Sequence, residues 1–133
     1  MPIFMLDTDI CSYILKNHPG HLQGVFNSHY RNNAVCISAV TYAELMTGAM
    51  RSGSIHFQEK ISDFTSLLEV TDWTISCARQ YAIVQTALLN AGMPIGSMDA
   101  MIAAAALAID ATLVTNNEKH FGKVSGLKIT NWL

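Results

Sequence analysis

The chain has 133 residues, half of them apolar and only 14% charged, with a formal net charge of −2 at pH 7. This length suits one domain with a core that needs no disulfides, and the near-neutral balance excludes nucleic-acid binding through bulk electrostatics. A charged fraction well below the usual value of about 25% predicts a sticky surface, and therefore self-association or a permanent partner.

The first predicted elements alternate between strand and helix. Residues 2–6 ("PIFML") form a continuous apolar run, which is typical of a strand buried on both faces. A helix follows, and a second short helix is expected within residues 19–31. Residues 34–38 ("AVCIS") predict another buried strand. Ser38 then suits the N-cap of a helix, whose expected apolar stripe comprises Tyr42, Leu45, Met46, Ala49 and Met50.

The second half of the chain continues the alternation. A helix through Phe64 leads to a strand near "LLEV", and a long helix then runs to Gly92, which is expected to cap it. Residues 96–110 ("GSMDAMIAAAALAID") are apolar nearly all round after the first turn, which predicts a central buried helix. Residues 111–117 ("ATLVTNN") predict a further buried strand, and residues 126–130 ("GLKIT") a short last one.

The cysteines and the apolar segments indicate the compartment. Cys11, Cys36 and Cys77 lie far apart without a Cys-x-x-Cys pair, which is typical of core residues in a reducing environment. Asp7 interrupts the apolar start, so we expect no signal peptide. The longest apolar run, residues 101–109, is shorter than the roughly 20 residues of a membrane span. We therefore expect a soluble cytoplasmic protein.

Strands that alternate with helices predict parallel β-α units. We expect residues 1–133 to form one three-layer α/β/α sandwich around a central parallel sheet of about five strands. Binding sites in such folds form beyond the carboxyl ends of the strands. Asp7 and Asn117 follow strands, and Glu44 and Asp99 lie early in helices that can open to the same edge. These four polar groups are therefore expected to share one crevice.

The chemistry of such a crevice points to a metal. Carboxylates brought together repel one another and lose hydration, and a hard divalent cation such as Mg²⁺ or Mn²⁺ removes the conflict. Such an ion lowers the pKa of a bound water and shields the charge that builds on a phosphate. The residue types therefore indicate hydrolysis of a phosphate ester.

Taken singly, these residues also have structural explanations. Asp9 is expected to cap the first helix, and Glu44 alone would be a solvated side chain. Asp99 suits the first turn of a helix because the helix dipole favours an acid there, and Asn117 suits a turn. Asp7 fits such an explanation least, because it ends a buried strand.

Four blocks in order carry a family resemblance: "MLDT" (5–8), "ISAVTYAEL" (37–45), "GSMDAMIAAAA" (96–106) and "LVTNNEKHF" (113–121). With them the sequence resembles the PIN-domain ribonucleases over essentially its whole length. Among these it is similar to the VapC-type toxins of bacterial toxin–antitoxin pairs.

The resemblance implies a Mg²⁺- or Mn²⁺-dependent endoribonuclease that a cognate VapB-type antitoxin holds inactive. It implies that Asp7 and Asp99 ligate the metal, that Glu44 ligates it or holds one of its waters, and that Asn117 takes the family's fourth, often acidic, position. It implies that four further residues orient these ligands: Thr8, Asp9, Ser38 and Thr115. The resemblance also implies a homodimer, which is common in the family, and an RNA substrate, since several members cut exposed loops, tRNA anticodon regions among them.

Two positions depart from the family pattern. Asn117 supplies one negative charge fewer, so a second ion would bind only with substrate. His120 stands where an acid is usual; it could contact phosphate or move a proton, although a solvated loop side chain is the expectation.

Gly48 leaves room one turn beyond Glu44. Basic residues that could hold RNA phosphates, or simply be solvated, are Lys16, Arg51, Lys119 and Lys123.

Three other functions stay open. "MLDTD" (5–9) is also the start of a haloacid-dehalogenase-type phosphatase, although the closing acids of that fold are missing from "LVTNN". A receiver-like signalling module would need a phosphoacceptor, for which Asp72 is the candidate. A catalytically degenerate PIN domain would bind RNA or antitoxin without cleavage, and Asn117 and His120 keep that alternative open.

Overall fold

The computed structural model describes residues 2–133. Its strands are β1 (Ile3–Leu6), β2 (Ala34–Ser38), β3 (Glu69–Thr71), β4 (Thr112–Val114) and β5 (Lys128–Thr130). They form one sheet in the order β3-β2-β1-β4-β5, and all neighbouring pairs are parallel. The predicted five-stranded parallel sheet is confirmed.

Helices follow or connect the strands: α1 (Thr8–Lys16), α2 (His21–Asn32), α3 (Ala39–Ser52), α4 (Ile55–Leu67), α5 (Ile75–Asn90), α6 (Ser97–Ala108) and α7 (Glu118–Phe121). The short α7 lies in a segment for which the sequence predicted no helix. Residues 115–117, which were expected to extend β4, lie beyond its end as a loop. Within residues 2–133, none of the helices is both long and apolar enough to cross a bilayer.

The two faces of β1 belong to different cores. Phe4 and Leu6 pack on the side that α1 to α4 cover. Ile3 and Met5 face the opposite core, which α5 and α6 close. Because side chains alternate along a strand, an all-apolar strand must bury both faces, and this requires a layer of helices on each side. The predicted three-layer sandwich is confirmed.

Four polar residues cap helix N-termini with their side chains, and Ser54 does so for α4 by accepting from the Phe57 amide. Ser38 accepts a hydrogen bond from the Thr41 amide, and Thr74 accepts one from the Cys77 amide. The prediction that Asp9 caps α1 is wrong, because Asp7 is the N-cap and its carboxylate accepts from the Ile10 amide. Asp9 is an exposed acid of the first turn, where the helix dipole favours it.

The predicted apolar stripe of α3 is confirmed at Leu45, Met46 and Ala49, which belong to the core or pack against it, but not at its two ends. The buried residues of α3 are Thr41, Leu45 and Ala49, whereas Tyr42 and Met50 are 38% and 64% exposed. The helix therefore turns a threonine toward α1 and leaves two large apolar side chains at the surface. All three cysteines of the chain are buried thiols, as predicted.

The order of the strands creates a crevice at one edge. The chain builds β2 and β3 on one side of β1 and then crosses over to build β4 and β5 on the other. Loops that leave β1 and β4 therefore diverge at the carboxyl edge, which is where parallel α/β folds place their sites.

Candidate active site

A cavity of about 90 Å³ lies at this carboxyl edge. Its lining residues are Asp7, Thr8, Asp9, Glu44, Asp99, Asn117 and Phe121. The fold thus brings together all four residues that the sequence predicted as catalytic, from segments spread over 110 positions (117 − 7). Their individual chemical roles stay predictions.

Asp7 is the most buried acid of the cavity, with 4% of its surface exposed. Its backbone amide donates to the Val114 carbonyl at 3.0 Å, which ties the end of β1 to β4, and its Oδ1 accepts from the Ile10 amide at 2.9 Å. Burial raises the pKa of Asp7 to about 6; contacts with Thr115 and the Ile10 amide oppose this, and the neighbouring carboxylates of Asp9 and Asp99 add to it. The site therefore disfavours the negative charge of Asp7 in the absence of a cation.

Glu44 is held by a hydroxyl from the other side of the crevice. The Thr8 hydroxyl donates to Glu44 Oε1 at 2.6 Å. Thr8 Oγ1 also lies 3.5 Å from Thr41 Oγ1, and the Ser38 hydroxyl lies 3.4 Å beyond Thr41. This row of hydroxyls links α1 to the start of α3 and fixes where the Glu44 carboxylate lies.

His120 joins Asp99 to the loop before α6. His120 Nε2 lies 3.0 Å from Asp99 Oδ2 and 2.7 Å from the Ile95 carbonyl oxygen. Because a backbone carbonyl can only accept, Nε2 carries the proton and donates to both oxygens. The expectation that His120 is a solvated loop side chain is therefore wrong, since the ring holds a carboxylate of the cavity in place.

Asp99 is half-buried in the first turn of α6. Desolvation raises the pKa of Asp99 above its usual 3.8, and the nearby carboxylate of Asp9 adds to this rise. His120 opposes it, both through its charge and through its hydrogen bond to Asp99. Asp99 and Asp7 are thus both carboxylates whose ionisation this crevice disfavours.

The last lining residues come from the loop after β4. Asn117 is exposed and precedes α7, and its backbone amide donates to Thr115 Oγ1 at 2.9 Å. Thr115 is fully buried and contacts Asp7. The candidate orienting residues divide accordingly: Thr8 and Asp9 line the cavity, whereas Ser38 and Thr115 support its lining residues from behind.

Two residues of this arrangement were missed by the sequence analysis. Thr41 links Ser38 to Thr8, and Phe121 closes one wall of the cavity. A threonine one turn after a serine N-cap, in line with Leu45 and Ala49, was the available signal for Thr41. No comparable signal marked Phe121.

The donor set fits a hard divalent cation. Four carboxylates and the side-chain amide of Asn117 line the cavity, and oxygen donors of this kind suit Mg²⁺ or Mn²⁺. Among residues 2–133, no three acidic, histidine or cysteine side chains are arranged as a preformed metal cage.

Comparison with known proteins places this fold and site in a family. The PIN domain profile matches residues 4–127. A ribonuclease VapC2 of Rickettsia felis is 38% identical over 98% of each chain, and a tRNA(fMet)-specific endonuclease VapC of Shigella flexneri is 35% identical over 97% of each. The crystal structure of Rickettsia felis VapBC2 bound to a DNA fragment from its promoter contains a chain that superposes with a TM-score of 0.90, at 37% identity over 98% of this chain and 99% of that one.

The chain therefore belongs to the PIN domain family. Within that family it is of the VapC type, as the resemblance had indicated. The haloacid-dehalogenase alternative is wrong, because a different family profile covers nearly the whole chain. The receiver alternative fails as well, since Asp72 follows β3, which is an edge strand and not a middle strand of the sheet.

Proposed function

We propose that this chain is a divalent-metal-dependent endoribonuclease toxin that cuts tRNA in an exposed loop and is neutralised by a cognate VapB-type antitoxin. The observation that carries the proposal is the convergence of Asp7, Glu44, Asp99 and Asn117 on one small cavity. The raised pKa values of Asp7 and Asp99 support it, because a site that disfavours its own carboxylates gains stability from a cation.

In this proposal Asp7, Asp99 and Glu44 hold Mg²⁺ or Mn²⁺. The bound ion would act as a Lewis acid toward water and the scissile phosphate. The protein holds the carboxylates in place: the Ile10 amide and Thr115 fix Asp7, the Thr8 hydroxyl fixes Glu44, and the His120 N–H fixes Asp99. Such supporting contacts keep donor oxygens in a reactive geometry.

The reaction itself is hydrolysis of a phosphodiester. Water loses a proton and forms a new bond to phosphorus, the bond from phosphorus to one ribose oxygen breaks, and that oxygen takes up a proton to leave as a hydroxyl. Asn117 is an exposed lining residue of the cavity, and its side-chain amide can donate to a nonbridging oxygen of the scissile phosphate. An unpaired loop suits this crevice, because its backbone can enter where a duplex cannot.

The substrate and the partners follow the relatives. The Shigella flexneri relative is named as a tRNA(fMet)-specific endonuclease, and the Rickettsia felis relative was solved as a VapBC assembly. For this chain we propose tRNA as substrate, an antitoxin as partner and a homodimer as the assembled form. The low charged fraction and the exposed apolar side chains agree with permanent partners.

The test is cleavage of a panel of purified tRNAs, initiator tRNA included, by the full chain freed of antitoxin. The reactions contain Mg²⁺, Mn²⁺ or EDTA. Asp99→Asn is the inactive variant, and Asp63→Asn, on the exposed face of α4, is its matched control. We expect cutting by the wild type and by Asp63→Asn, and at least about a 100-fold loss in EDTA or with Asp99→Asn.

Two results would separate the alternatives. Cutting that persists undiminished in EDTA would contradict the metal-dependent mechanism. A folded wild-type chain that binds tRNA but cuts none of the panel would instead support the degenerate, binding-only PIN domain.

A further inference from the structure

A second cavity, of about 370 Å³, adjoins the acidic one and shares Glu44 with it. Its lining residues are Ala43, Glu44, Thr47, Gly48, Arg51 and Met98. Five of the six lie on a single face of α3, because residues three, four and seven apart in a helix are neighbours. The cavity therefore runs from the candidate catalytic carboxylates along α3, and its size falls within the range of about 300–1,000 Å³ that small ligands occupy.

Gly48 forms the floor of this second cavity. A glycine within a helix costs stability relative to alanine, so its presence in the interior of α3 calls for a reason. Packing does not supply one, since a Cβ atom at Gly48 would meet no atom within 4 Å apart from its chain neighbours and the adjacent backbone of α3. The missing side chain thus leaves open space in the cavity and relieves no clash in the fold.

Arg51 lies at the far end of the second cavity. It is exposed, and within the described residues no carboxylate lies within 4 Å of its guanidinium. It follows Glu44 by seven positions (51 − 44), which places the two about 10 Å apart along the helix axis. A guanidinium without an ion-pair partner is well suited to a phosphate, to which it can donate two parallel hydrogen bonds.

Met98 forms the opposite wall. Its side chain is 42% exposed although it is large and apolar, and it directly precedes Asp99 in α6. A polarisable thioether makes favourable contacts with aromatic rings, and a nucleobase offers such a ring. The open space at Gly48, the apolar side chain of Met98 and the unpaired guanidinium of Arg51 thus line one cavity next to the carboxylates.

From this arrangement we infer that the second cavity is a nucleotide subsite. It holds the base and sugar next to the scissile phosphate between Gly48 and Met98, and Arg51 binds the following phosphate of the same strand. The inference rests on the proposed function and adds to it a place where one flanking nucleotide is recognised. The acidic cavity is then the site of cleavage, and the face of α3 holds the strand in register.

Two variants test the subsite. Gly48→Leu fills the floor with a good helix former, so we expect the melting temperature to rise by about 3 °C while kcat/KM for a single-stranded RNA falls at least about tenfold. Arg51→Gln should weaken binding of the same RNA about fivefold at low salt. It should also make the slope of log affinity against log salt shallower by about 0.7, as expected for the loss of one phosphate contact on a single strand. Arg79→Gln removes an exposed arginine on α5, away from the cavity, and as the matched charge control it should change neither the affinity nor the slope.

A truncated substrate distinguishes a subsite from a general effect. We would measure kcat/KM with an unstructured oligoribonucleotide and with versions that lack one nucleotide on either side of the cut. One truncation should impair the wild type strongly but impair Gly48→Leu little further, because each change removes the same contact.

The outcomes separate this inference from the proposed function. If the wild type cuts and both variants cut the full oligonucleotide equally well, the subsite is wrong and the nuclease stands. If the wild type does not cut, both fail. If either variant changes the sedimentation coefficient of the protein, the face of α3 is an interface between copies of the chain, and the subsite is again wrong.

Discussion

Asp7 serves the fold and the candidate site with opposite energetic effects. Its carboxylate caps α1, which stabilises the fold, yet it is buried among acids with its pKa raised from 3.8 to about 6. Between these pH values the folded chain binds more protons than the unfolded chain, so stability falls as pH rises from about 4 to about 6 and stays lower above. The shift corresponds to a cost on the order of 3 kcal/mol at neutral pH.

Asp7→Asn should therefore stabilise the metal-free protein. Asparagine caps a helix as well as aspartate does, and it carries no charge to bury. We expect the free energy of unfolding in urea and EDTA to rise by about 1–3 kcal/mol at about pH 7.5, and this gain to vanish near pH 4. Asp63→Asn, on an exposed position, should show neither effect. A loss of stability of Asp7→Asn at about pH 7.5 would contradict this account of the site.

His120→Glu should destabilise the protein without metal and increase its stabilisation by a bound ion, because of its effect on Asp99. The variant introduces the acid that the family resemblance implies at this position, but it replaces the N–H donor of Asp99 with a second carboxylate. In EDTA we expect a loss of about 1 kcal/mol, discounted because both side chains are about one-third exposed. Added Mn²⁺ should raise the melting temperature of His120→Glu more than that of the wild type, since the ion now offsets an additional charge. If Mn²⁺ raised the melting temperatures of the wild type and of His120→Glu equally, His120 would not limit the negative charge that the site can hold.

At the scale of elements, the start of α3 determines where Glu44 lies. Ser38 caps α3 and contacts Thr41, which in turn approaches Thr8, the donor to Glu44. Ser54 caps α4 in the same way through the Phe57 amide but contacts no residue of the cavity. The two caps are thus matched in structure and differ in their connection to the site.

Ser38→Ala and Ser54→Ala should have similar effects on stability and different effects on activity. Each removes one cap, at a cost of about 1 kcal/mol in urea unfolding. Only Ser38→Ala should also lower kcat/KM for RNA, by about 3- to 10-fold, because Glu44 loses part of its support. If both variants retained wild-type kcat/KM, the row of hydroxyls would be structural only.

Elements with a strong pattern were predictable from the sequence, and those that depend on packing partners were not. The run "PIFML" gave β1 because a strand buried on both faces needs no polar alternation. The stripe of α3 was predicted only in part, since Tyr42 and Met50 are apolar but lie outward, while Thr41 is polar but buried and approaches Thr8. Helix α7 has only four residues, too few for a periodic pattern.

The same distinction applies to the candidate site. The order of the blocks placed Asp7, Glu44, Asp99 and Asn117 at one edge, because parallel strands share their carboxyl ends. The partner of His120 could not be predicted in this way. Its contact with Asp99 and the Ile95 carbonyl depends on how α7 packs against the loop before α6, and no local pattern encodes that geometry.

At the scale of the whole molecule, the surface is apolar on two opposite sides. On α5, the exposed large apolar residues are Ile75, Ile83 and Leu89, and on α4 they are Ile55 and Leu67. These helices cover opposite faces of the sheet. A charged fraction of 14% leaves little to keep such surfaces apart, and a stable interface needs only about 800 Å² from each partner. The molecule can therefore offer one face to a second copy and the other to an antitoxin.

We expect the isolated chain to form a dimer through α5, because a 16-residue helix with three exposed apolar side chains can pack against its own two-fold copy. Ile83→Lys should raise the dimer dissociation constant at least about tenfold, since it brings two unpaired ammonium groups into an apolar contact. Sedimentation velocity over a range of concentrations measures this shift, and thermal melts of the monomer verify that the variant is folded. Leu67→Lys, on the other side of the sheet, should leave the dimer intact. A dimer that withstands Ile83→Lys but dissociates in Leu67→Lys would assign self-association to α4 and leave the face of α5 for the other partner.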